Sequence, residues 1–251
     1  MKQLIFSLMT LETSMEKGMI YMIPVTLGGE VVNDVIPANV QSSAMDLRYF
    51  IVENVKSARR FLRKIDRQFP IDDCQFFEIN RKTEASEVHR FLKPAKEGHN
   101  IGVMSDAGCP GVADPGAIIM TMAHEKNIKV QPLVGPSSIL LTLMGSGFNG
   151  QNFSFSGYLP KERKDRIRAL KNFEADTYRN GTTHLFMDTP FRNMNVLEDL
   201  LNDLADTTMI CIASNLTLPS ENIRTMSAKD WREHAYDLAK RPTMFAIGKK
   251  Q

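Results

Sequence analysis

Hydrophobic residues occur in two patterns along the chain: short continuous runs, which are typical of buried strands, and positions three or four residues apart, which are typical of amphipathic helices. Residues 20–26 form an apolar run that ends at the Gly28-Gly29 turn, and they predict a buried strand. Further on, apolar side chains recur every three or four residues, which predicts an amphipathic helix over 56–69 with a basic outer face. The apolar positions of this helix are Ala58, Phe61, Leu62, Ile65 and Phe69.

The next stretch repeats strand, loop and helix in regular order. Apolar runs predict strands at 101–104 and 128–134, and the helices predicted after them cover 117–126 and 139–144. This order is typical of a parallel α/β sheet.

A second unit follows the segment 145–152, which is rich in structure-breaking residues and is the best candidate for a linker. Its predicted elements are, in order, strand 153–156, basic helix 161–173, strand 184–187, helix 193–204 and strands 209–213 and 244–248. We therefore expect an α/β fold with two α/β domains, 19–147 and 152–251, and a ligand cleft between them.

Composition indicates a globular protein and argues against a membrane-spanning, secreted or disulfide-rich one. Hydrophobic residues make up 43% and charged residues 24% of the chain, as in ordinary globular domains. No apolar run approaches the ~20 residues that span a bilayer, so no membrane partner is expected. Ser7 and Thr10 interrupt the short apolar start, which favours an upstream extension or a start at Met15 or Met19 over a secretion signal. Three scattered cysteines indicate a reducing, cytoplasmic location without a disulfide framework or a metal site.

The segment 105–116 carries the main candidate for chemistry. It holds three glycines, two prolines and two aspartates between a buried strand and an apolar helix. Open α/β sheets bind ligands at the carboxyl ends of their strands, and glycine lets a ligand approach the main chain. Asp106 and Asp114 offer acceptors for hydroxyl or amine groups. The alternative is a structural turn in which Asp106 only caps backbone N–H groups.

The segment 135–138, Gly-Pro-Ser-Ser, opens the helix predicted at 139–144. Ser137 or Ser138 suits the N-cap position, and exposed N–H and hydroxyl groups there could bind a carboxylate or a ribose. Alternatively, the segment is only a helix start. Neither G-x-G-x-x-G nor the P-loop pattern occurs, so dinucleotide and P-loop nucleotide binding lose their usual support.

Four motifs, in order along the chain, are similar to those of a known family. They are S-D-A-G-C-P-G-V-A-D-P-G at 105–116, P-L-V-G-P-S-S at 132–138, F-S-G-Y-L-P-K at 155–161 and F-M-D-T-P-F-R at 186–192. The chain resembles the tetrapyrrole-methylase type, or class III, of S-adenosylmethionine-dependent methyltransferases. Within this family, the motifs resemble the branch that methylates small-subunit ribosomal RNA.

The resemblance implies two α/β domains, a homodimer and S-adenosylmethionine (SAM) as the cofactor in the cleft between the domains. It also implies which residues contact the cofactor. They are Ser105, Asp106, Ala107 and Gly108 at the methionine end, Pro24, Pro136, Ser137 and Ser138 beside it, and Met187, Ala213 and Phe245 on the adenine side.

The first third of the chain departs from the branch's pattern. The A-E-D-T-R segment of the branch corresponds to V-E-N-V-K at 52–56, which keeps Glu53 and replaces the aspartate by Asn54. Residues 77–80 lack two histidines, and 214–218 lose an arginine, a glutamate and a lysine. Glu53 and Asp106 are the candidates for a general base, and the alternative for each is a hydrogen-bonding role alone.

The predicted function is 2′-O-methylation of a ribose in small-subunit ribosomal RNA. The basic segments 56–67 and 161–171 could contact RNA phosphates, or they could be solvated helix faces. Two other functions fit the sequence. One is the methylation of a tetrapyrrole or another small molecule, and the other is a catalytically inactive relative that binds SAM or RNA.

Overall fold

The computed structural model describes residues 16–29, 31–234 and 236–250. They fall into two compact units, one of residues 16–25 and 36–135 and the other of residues 26–35 and 136–250. The interpretation of residues 1–15, including a start at Met15, lies outside the described residues.

The first unit is built on a parallel five-stranded sheet. Its strands are β1 (Ile20–Met22), β2 (Tyr49–Val52), β3 (Gln75–Glu78), β4 (Ile101–Met104) and β5 (Val130–Pro132), in the spatial order β3-β2-β4-β1-β5. Its helices are α1 (Ala38–Met45), α2 (Val55–Ile65), α3 (Ala85–Phe91), α4 (Lys93–Lys96) and α5 (Ala117–Glu125). Helices alternate with strands because parallel neighbours need crossover connections.

The middle strand β4 is buried along its whole length, which explains its continuous apolar sequence. Gly102 lies at its centre. A Cβ atom there would come within 2.6 Å of the Ile23 side chain and 2.9 Å of the Phe50 ring. Because Gly102 has no side chain, Ile23 and Phe50 can pack directly against the backbone of β4.

The second unit is built on a mixed five-stranded sheet. Its strands are β6 (Phe153–Tyr158), β7 (Thr183–Met187), β8 (Met209–Ser214), β9 (Asn222–Ser227) and β10 (Thr243–Gly248), in the spatial order β6-β7-β10-β8-β9. Among the strand pairs described for this second sheet, only β6 and β7 run parallel. Its helices are α6 (Ser138–Ser146), α7 (Arg163–Asn180), α8 (Asn193–Asp203) and α9 (Ala228–Arg232).

The two faces of this second sheet carry separate apolar clusters. Phe186, Ile212 and Phe245 lie in one cluster, together with residues of α7 and α8. Leu185 and Ala213 lie in the other, together with Leu143 of α6. Side chains of successive strand residues point to opposite faces, so this alternation gives both faces a core.

The alternation of strands and helices is confirmed, and the differences have identifiable causes. Helix α2 ends at Ile65 rather than at 69, since the chain turns extended at Asp66, although Phe69 is still buried. Strands β2 and β3 were not predicted. Strand β9 lies in the polar stretch between the predicted strands 209–213 and 244–248, for which no strand was predicted. Helix α6 belongs to the second unit, and the predicted linker 145–152 begins at the last two residues of this helix.

None of the described helices combines the length and apolar character needed to cross a lipid bilayer. Within the part of the chain that the structure describes, no group of three or more His, Cys, Asp or Glu side chains gathers where it could hold a metal ion.

Candidate functional site

The carboxyl edge of the first sheet brings several predicted residues together. Backbone hydrogen bonds continue past the strand ends, from Ile23 N to Val103 O (2.9 Å) and from Glu53 N to Met104 O (3.3 Å). Because the strands are parallel, the segments that follow β1, β2, β4 and β5 all leave the sheet at this edge. This is the edge where open α/β sheets bind ligands.

The start of the loop 105–116 is folded tightly against the segment after β1. The buried Ser105 donates a hydrogen bond from its hydroxyl to Ala107 O (3.1 Å). Gly108 has φ +70°, a left-handed conformation that favours glycine, and its carbonyl accepts from Val25 N at 2.9 Å. Both predicted residues therefore fix the path of the loop.

The ring of Pro24 packs closely against the backbone of Gly135 at this edge. A Cβ atom on Gly135 would lie 2.3 Å from both Cβ and Cγ of Pro24, a distance at which one of the two segments must shift. Pro24 is fully covered, and it lies after β1, while Gly135 follows β5. Gly135 of the 132–138 motif therefore leaves room for the ring of Pro24, one of the residues predicted to contact the cofactor.

Glu53 and Asp106, the two candidates for a general base, are direct neighbours. The Asp106 backbone N–H donates to Glu53 Oε2 at 2.8 Å. Burial raises the pKa of the Glu53 carboxyl above its ordinary value, and the nearby Asp114 and Asp106 carboxylates raise it further. The hydrogen bond from Asp106 acts in the opposite direction. A half-buried carboxylate with a raised pKa is a better proton acceptor than a solvated one.

The two aspartates of the loop have different roles. Asp114 accepts hydrogen bonds from Gly111 N (2.7 Å) and Gly116 N (2.6 Å), so both of its oxygens hold the loop's own backbone. Asp106 is exposed, and its carboxylate makes no hydrogen bond with any described residue. The capping role that was the alternative for Asp106 thus belongs to Asp114, and Asp106 is left available for a ligand.

The replacement of an aspartate by Asn54 has a structural consequence that the sequence analysis missed. The Asn54 side chain accepts a hydrogen bond from Ser57 N at 3.0 Å and is the N-cap of α2. Asparagine and aspartate are equally good at this position, so the cap survives the replacement. Helix α2 therefore begins directly beside Glu53.

In the second unit, the predicted cap at the start of α6 is present. Ser137 is the N-cap residue, with its hydroxyl 3.4 Å from Leu140 N, and Ser138 is the first residue of the helix. Pro136 before them is buried. A serine hydroxyl that caps its own helix is only partly free to bind a ligand.

The predicted adenine-side residues do not all lie together. Met187, Met244 and Ala213 are direct neighbours across β7, β10 and β8 and share one face of the sheet. Phe245 lies on the opposite face, where its ring stacks on Phe186 with 5.8 Å between centroids. The resemblance pointed to this part of β10, and the residue on the face of Ala213 is Met244.

An ion pair between a buried aspartate and a partly buried arginine follows β7 and was not recognised from the sequence. Arg192 Nη2 lies 2.5 Å from Asp188 Oδ1, within the motif at 186–192. Thr189 N also donates to this carboxylate oxygen, at 2.6 Å. The four-residue spacing of an acid and an arginine was the only signal in the sequence.

Comparison with known proteins decides the family. The model of the Tetrapyrrole (Corrin/Porphyrin) Methylases matches residues 45–231, most of the chain. The chain belongs to this family. The resemblance inferred from the four motifs is therefore confirmed. A methylase family implies a methyl-donor cofactor.

Named relatives of this tetrapyrrole methylase point to one branch. The Ribosomal RNA small subunit methyltransferase I of Haemophilus influenzae is 31% identical over 158 residues, which are 63% of this chain and 54% of that protein. The protein of the same name from Escherichia coli O157:H7 is 27% identical over 207 residues, 82% of this chain and 68% of that protein. The chain thus spans between about half and two thirds of the length of these relatives.

Two solved structures share the fold. The methyltransferase CobJ has a TM-score of 0.62 and 18% identity, with 92% of this chain and 94% of CobJ covered. Diphthine synthase has a TM-score of 0.65 and 13% identity, with 93% of this chain and 90% of that chain covered. These similarities concern the fold, and they confirm the predicted α/β class of the tetrapyrrole-methylase type.

Proposed function

We propose that this tetrapyrrole methylase transfers the methyl group of SAM to the 2′-hydroxyl of a ribose in small-subunit ribosomal RNA. The observation that carries the proposal is the carboxyl edge of the first sheet, where Glu53 lies 2.8 Å from the backbone N–H of the exposed Asp106. The names of the relatives supply the substrate class.

The chemistry of this edge suits SAM. The cofactor carries a positive sulfonium and an ammonium group, and Glu53 and Asp106 place two carboxyl groups at the edge. The tight path of Ser105, Ala107 and Gly108 offers main-chain groups without bulky side chains. In the second unit, we retain the prediction that Ser137 and Ser138 contact the cofactor.

The adenine side remains a prediction for the second unit. Met187 and Ala213 supply apolar surface on one face of its sheet, and Met244 between them replaces Phe245 in the proposal. Adenine rings are commonly held by such apolar walls with few polar groups.

When bound, SAM supplies an electrophilic methyl group on a positively charged sulfur. The chain's own residues must hold the acceptor hydroxyl in line with it and receive the hydroxyl proton, since a ribose hydroxyl is a weak nucleophile. We assign the proton to Glu53, because burial raises the pKa of its carboxyl group and the one hydrogen bond described for this carboxyl group comes from the Asp106 N–H. Asp106 remains free for the cofactor.

Helix α2 supports RNA as the substrate. It starts beside Glu53, buries Ala58, Phe61 and Leu62, and exposes its basic side chains. Lys56 and Arg60 make no hydrogen bond or ion pair with any described residue, so they are available for phosphates. The basic segment therefore begins where the reaction is proposed to occur.

The proposal includes a homodimer and a cytoplasmic location. Helix α6 exposes Leu140 and Met144, which are four residues apart and so lie on one helix face, with Met144 79% exposed. Large apolar side chains grouped on a surface are typical of subunit contacts. Light scattering tests this: Met144→Glu is expected to turn a dimer into a monomer.

The transfer of labelled methyl groups from SAM to small ribosomal subunits tests the function. The subunits come from cells that lack the gene, so the target site is unmodified. We expect label in the RNA, on a nucleotide that nuclease digestion and mass spectrometry identify as 2′-O-methylated. Label absent from RNA despite SAM binding would contradict the proposal and favour a small-molecule acceptor.

Glu53→Gln tests the catalytic assignment in the same assay. Glutamine can still accept the hydrogen bond from Asp106 N–H but cannot take the proton. Loss of a general base typically costs about 100- to 10,000-fold in rate. An unchanged rate would restrict Glu53 to hydrogen bonding.

A further inference from the structure

The turn after β7 presents an aromatic ring to solvent. Phe191 is 84% exposed, the highest value among the large hydrophobic residues described. Pro190 before it accepts a hydrogen bond from Lys240 N at 3.3 Å, and this contact joins the turn to the segment before β10. A large ring held in water has no role in the core, so it points to an external contact.

The ion pair between Asp188 and Arg192 fixes the backbone of the turn that carries Phe191. Asp188 has a fully buried side chain and binds both Thr189 N and Arg192. Arg192 also donates to Leu159 O at 3.4 Å. Asp188 Oδ2 and Arg192 Nη1 are buried without a hydrogen-bond partner among the described residues. The turn that presents the ring is therefore fixed by these contacts, and the two unpartnered atoms could accept or donate a further hydrogen bond.

A second exposed ring lies next to this turn. Tyr158, at the end of β6, is 48% exposed and pairs with Met187 of β7, the residue before Asp188. Met187 is one of the proposed adenine contacts. The two rings therefore lie at the same end of the sheet, close to a residue assigned to the cofactor.

Basic residues lie on the segments next to the two rings. Lys161 lies three residues after Tyr158, and the backbone N–H of Lys240 donates to Pro190 O, next to Phe191. Arg241 follows Lys240, and its backbone carbonyl accepts a hydrogen bond from the Asn193 side chain at 2.7 Å. On these segments the exposed acidic residues are Glu162 and Asp237. The basic residues outnumber the acidic ones, and Lys161 and Lys240 lie on the segments next to Tyr158 and to the Phe191 turn, respectively.

We propose that Tyr158, Phe191, Lys161 and Lys240 form a surface that binds a single-stranded segment of RNA, with bases stacked on the rings and phosphates on the lysines. This inference rests on the proposed function and extends it to the substrate's flanking nucleotides. Aromatic rings beside cations are the common design of surfaces for single strands. A contact surface for a protein partner would more often be a continuous apolar patch, and two separate rings bordered by lysines fit bases better.

Fluorescence anisotropy with a labelled oligouridylate of about ten nucleotides tests the surface without any methyl transfer. Phe191→Ala is expected to weaken binding roughly 5- to 100-fold, since one base loses its stacking partner. Phe191→Trp should retain binding, while Phe191→Leu should not. Lys240→Gln should lower the steepness of the salt dependence, with the slope of log affinity against log salt falling by about 0.7.

Phe153→Ala is the matched control, because Phe153 lies at the other end of β6 and is similarly exposed, at 42%. It should leave RNA affinity unchanged. The inference would be overturned if the wild type, Phe191→Ala and Tyr158→Ala bound RNA with equal affinity. It would also be overturned if the wild type did not bind the oligonucleotide. Either result is expected if the surface binds a protein partner instead. Methylation of ribosomal RNA by all three would then leave the proposed function standing. Conversely, binding lost in Phe191→Ala while the wild type methylates no RNA would support the surface and contradict the proposed function.

Discussion

The two units of the molecule use their charged side chains differently. In the second unit, Arg166 pairs with Asp199 at 2.7 Å, and the two side chains are only 5% and 2% exposed. Arg163 pairs with the same aspartate at 2.8 Å. Arg168 and Lys171 of α7 also have acidic partners. Most of the basic residues of this helix therefore serve contacts within the unit.

In the first unit, the ion pairs described are exposed and mostly local. Arg59 pairs with Asp72 on the surface, and two further pairs join residues three or four apart, one within α3 and one between Lys93 of α4 and Glu97 just after it. Lys56, Arg60 and the carboxylate of Asp106 have no such partner. A run of basic residues in a sequence therefore predicts positive charge, but it does not predict whether that charge is free to bind a phosphate. This depends on whether acidic residues of other elements pair with it.

The largest expected effect is the loss of the buried pair. Asp199→Ala leaves Arg166 buried without its partner, and breaking such a pair typically costs about 3–5 kcal/mol of unfolding free energy. Urea denaturation followed by circular dichroism measures it. The control is Asp72→Ala, which removes an exposed pair worth about 1 kcal/mol or less. Equal losses in both variants would remove the contrast between the units.

Gly135→Ala should have the next largest effect, because the new methyl group collides with the Pro24 ring. Overpacking of this kind costs about 1–3 kcal/mol, and the shift of the segments after β1 and β5 should also weaken SAM binding. Thermal unfolding and calorimetry measure the two effects. Gly150→Ala is the control, since a Cβ atom there meets nothing within 4 Å. A Gly135 variant as stable and as tightly binding as this control would contradict the packing role.

Much of this fold was predictable because its strands are apolar and its helices amphipathic. Strand β4, the loop after it and helix α5 came directly from the pattern. Strand β3 was missed because polar residues lie at both of its ends and its two phenylalanines are only partly buried, whereas strand β2 was missed although its residues are apolar and mostly buried. Strand β9 was missed because its polar residues alternate with partly buried ones on an edge strand.

The sequence was sufficient to predict which motifs form the candidate site, but not the role of each residue within them. The roles of Asp106 and Asp114 were not separable, because the same residue type either binds a ligand or holds a turn, and only the hydrogen bonds to Gly111 N and Gly116 N distinguish them. Phe245 was chosen by its strand, and a one-residue difference in position along a strand changes the face.

Glu53→Gln should produce a smaller, pH-dependent change. Because the folded protein holds the Glu53 proton to higher pH than the unfolded chain does, the wild type loses stability as pH rises from the usual pKa of glutamate to the raised folded pKa. The variant does not titrate, so its stability relative to the wild type should increase over this window and stay constant above it. Urea midpoints from mildly acidic to neutral pH measure this. A constant difference at all pH values would contradict the raised pKa.

The smallest expected effect concerns α2. Replacing Lys56 and Arg60 by glutamine should leave stability unchanged and reduce the salt dependence of RNA binding by about 0.7 for each lost phosphate contact. Arg168→Gln on α7, where the arginine has an acidic neighbour, is the control and should change neither slope nor affinity. Equal slopes for the two helices would show that the basic face of α2 is only solvated.

The most direct test of the central claim, that the carboxyl edge of the first sheet binds SAM through Asp106, is a calorimetric titration. Asp106→Ala should weaken SAM binding about 10- to 100-fold, the usual effect of losing a charged hydrogen-bonding partner. Asp73→Ala, an exposed aspartate before β3 at the opposite edge of the same sheet, should bind like the wild type. Wild-type affinity in Asp106→Ala would mean that the loop is structural and would contradict the account.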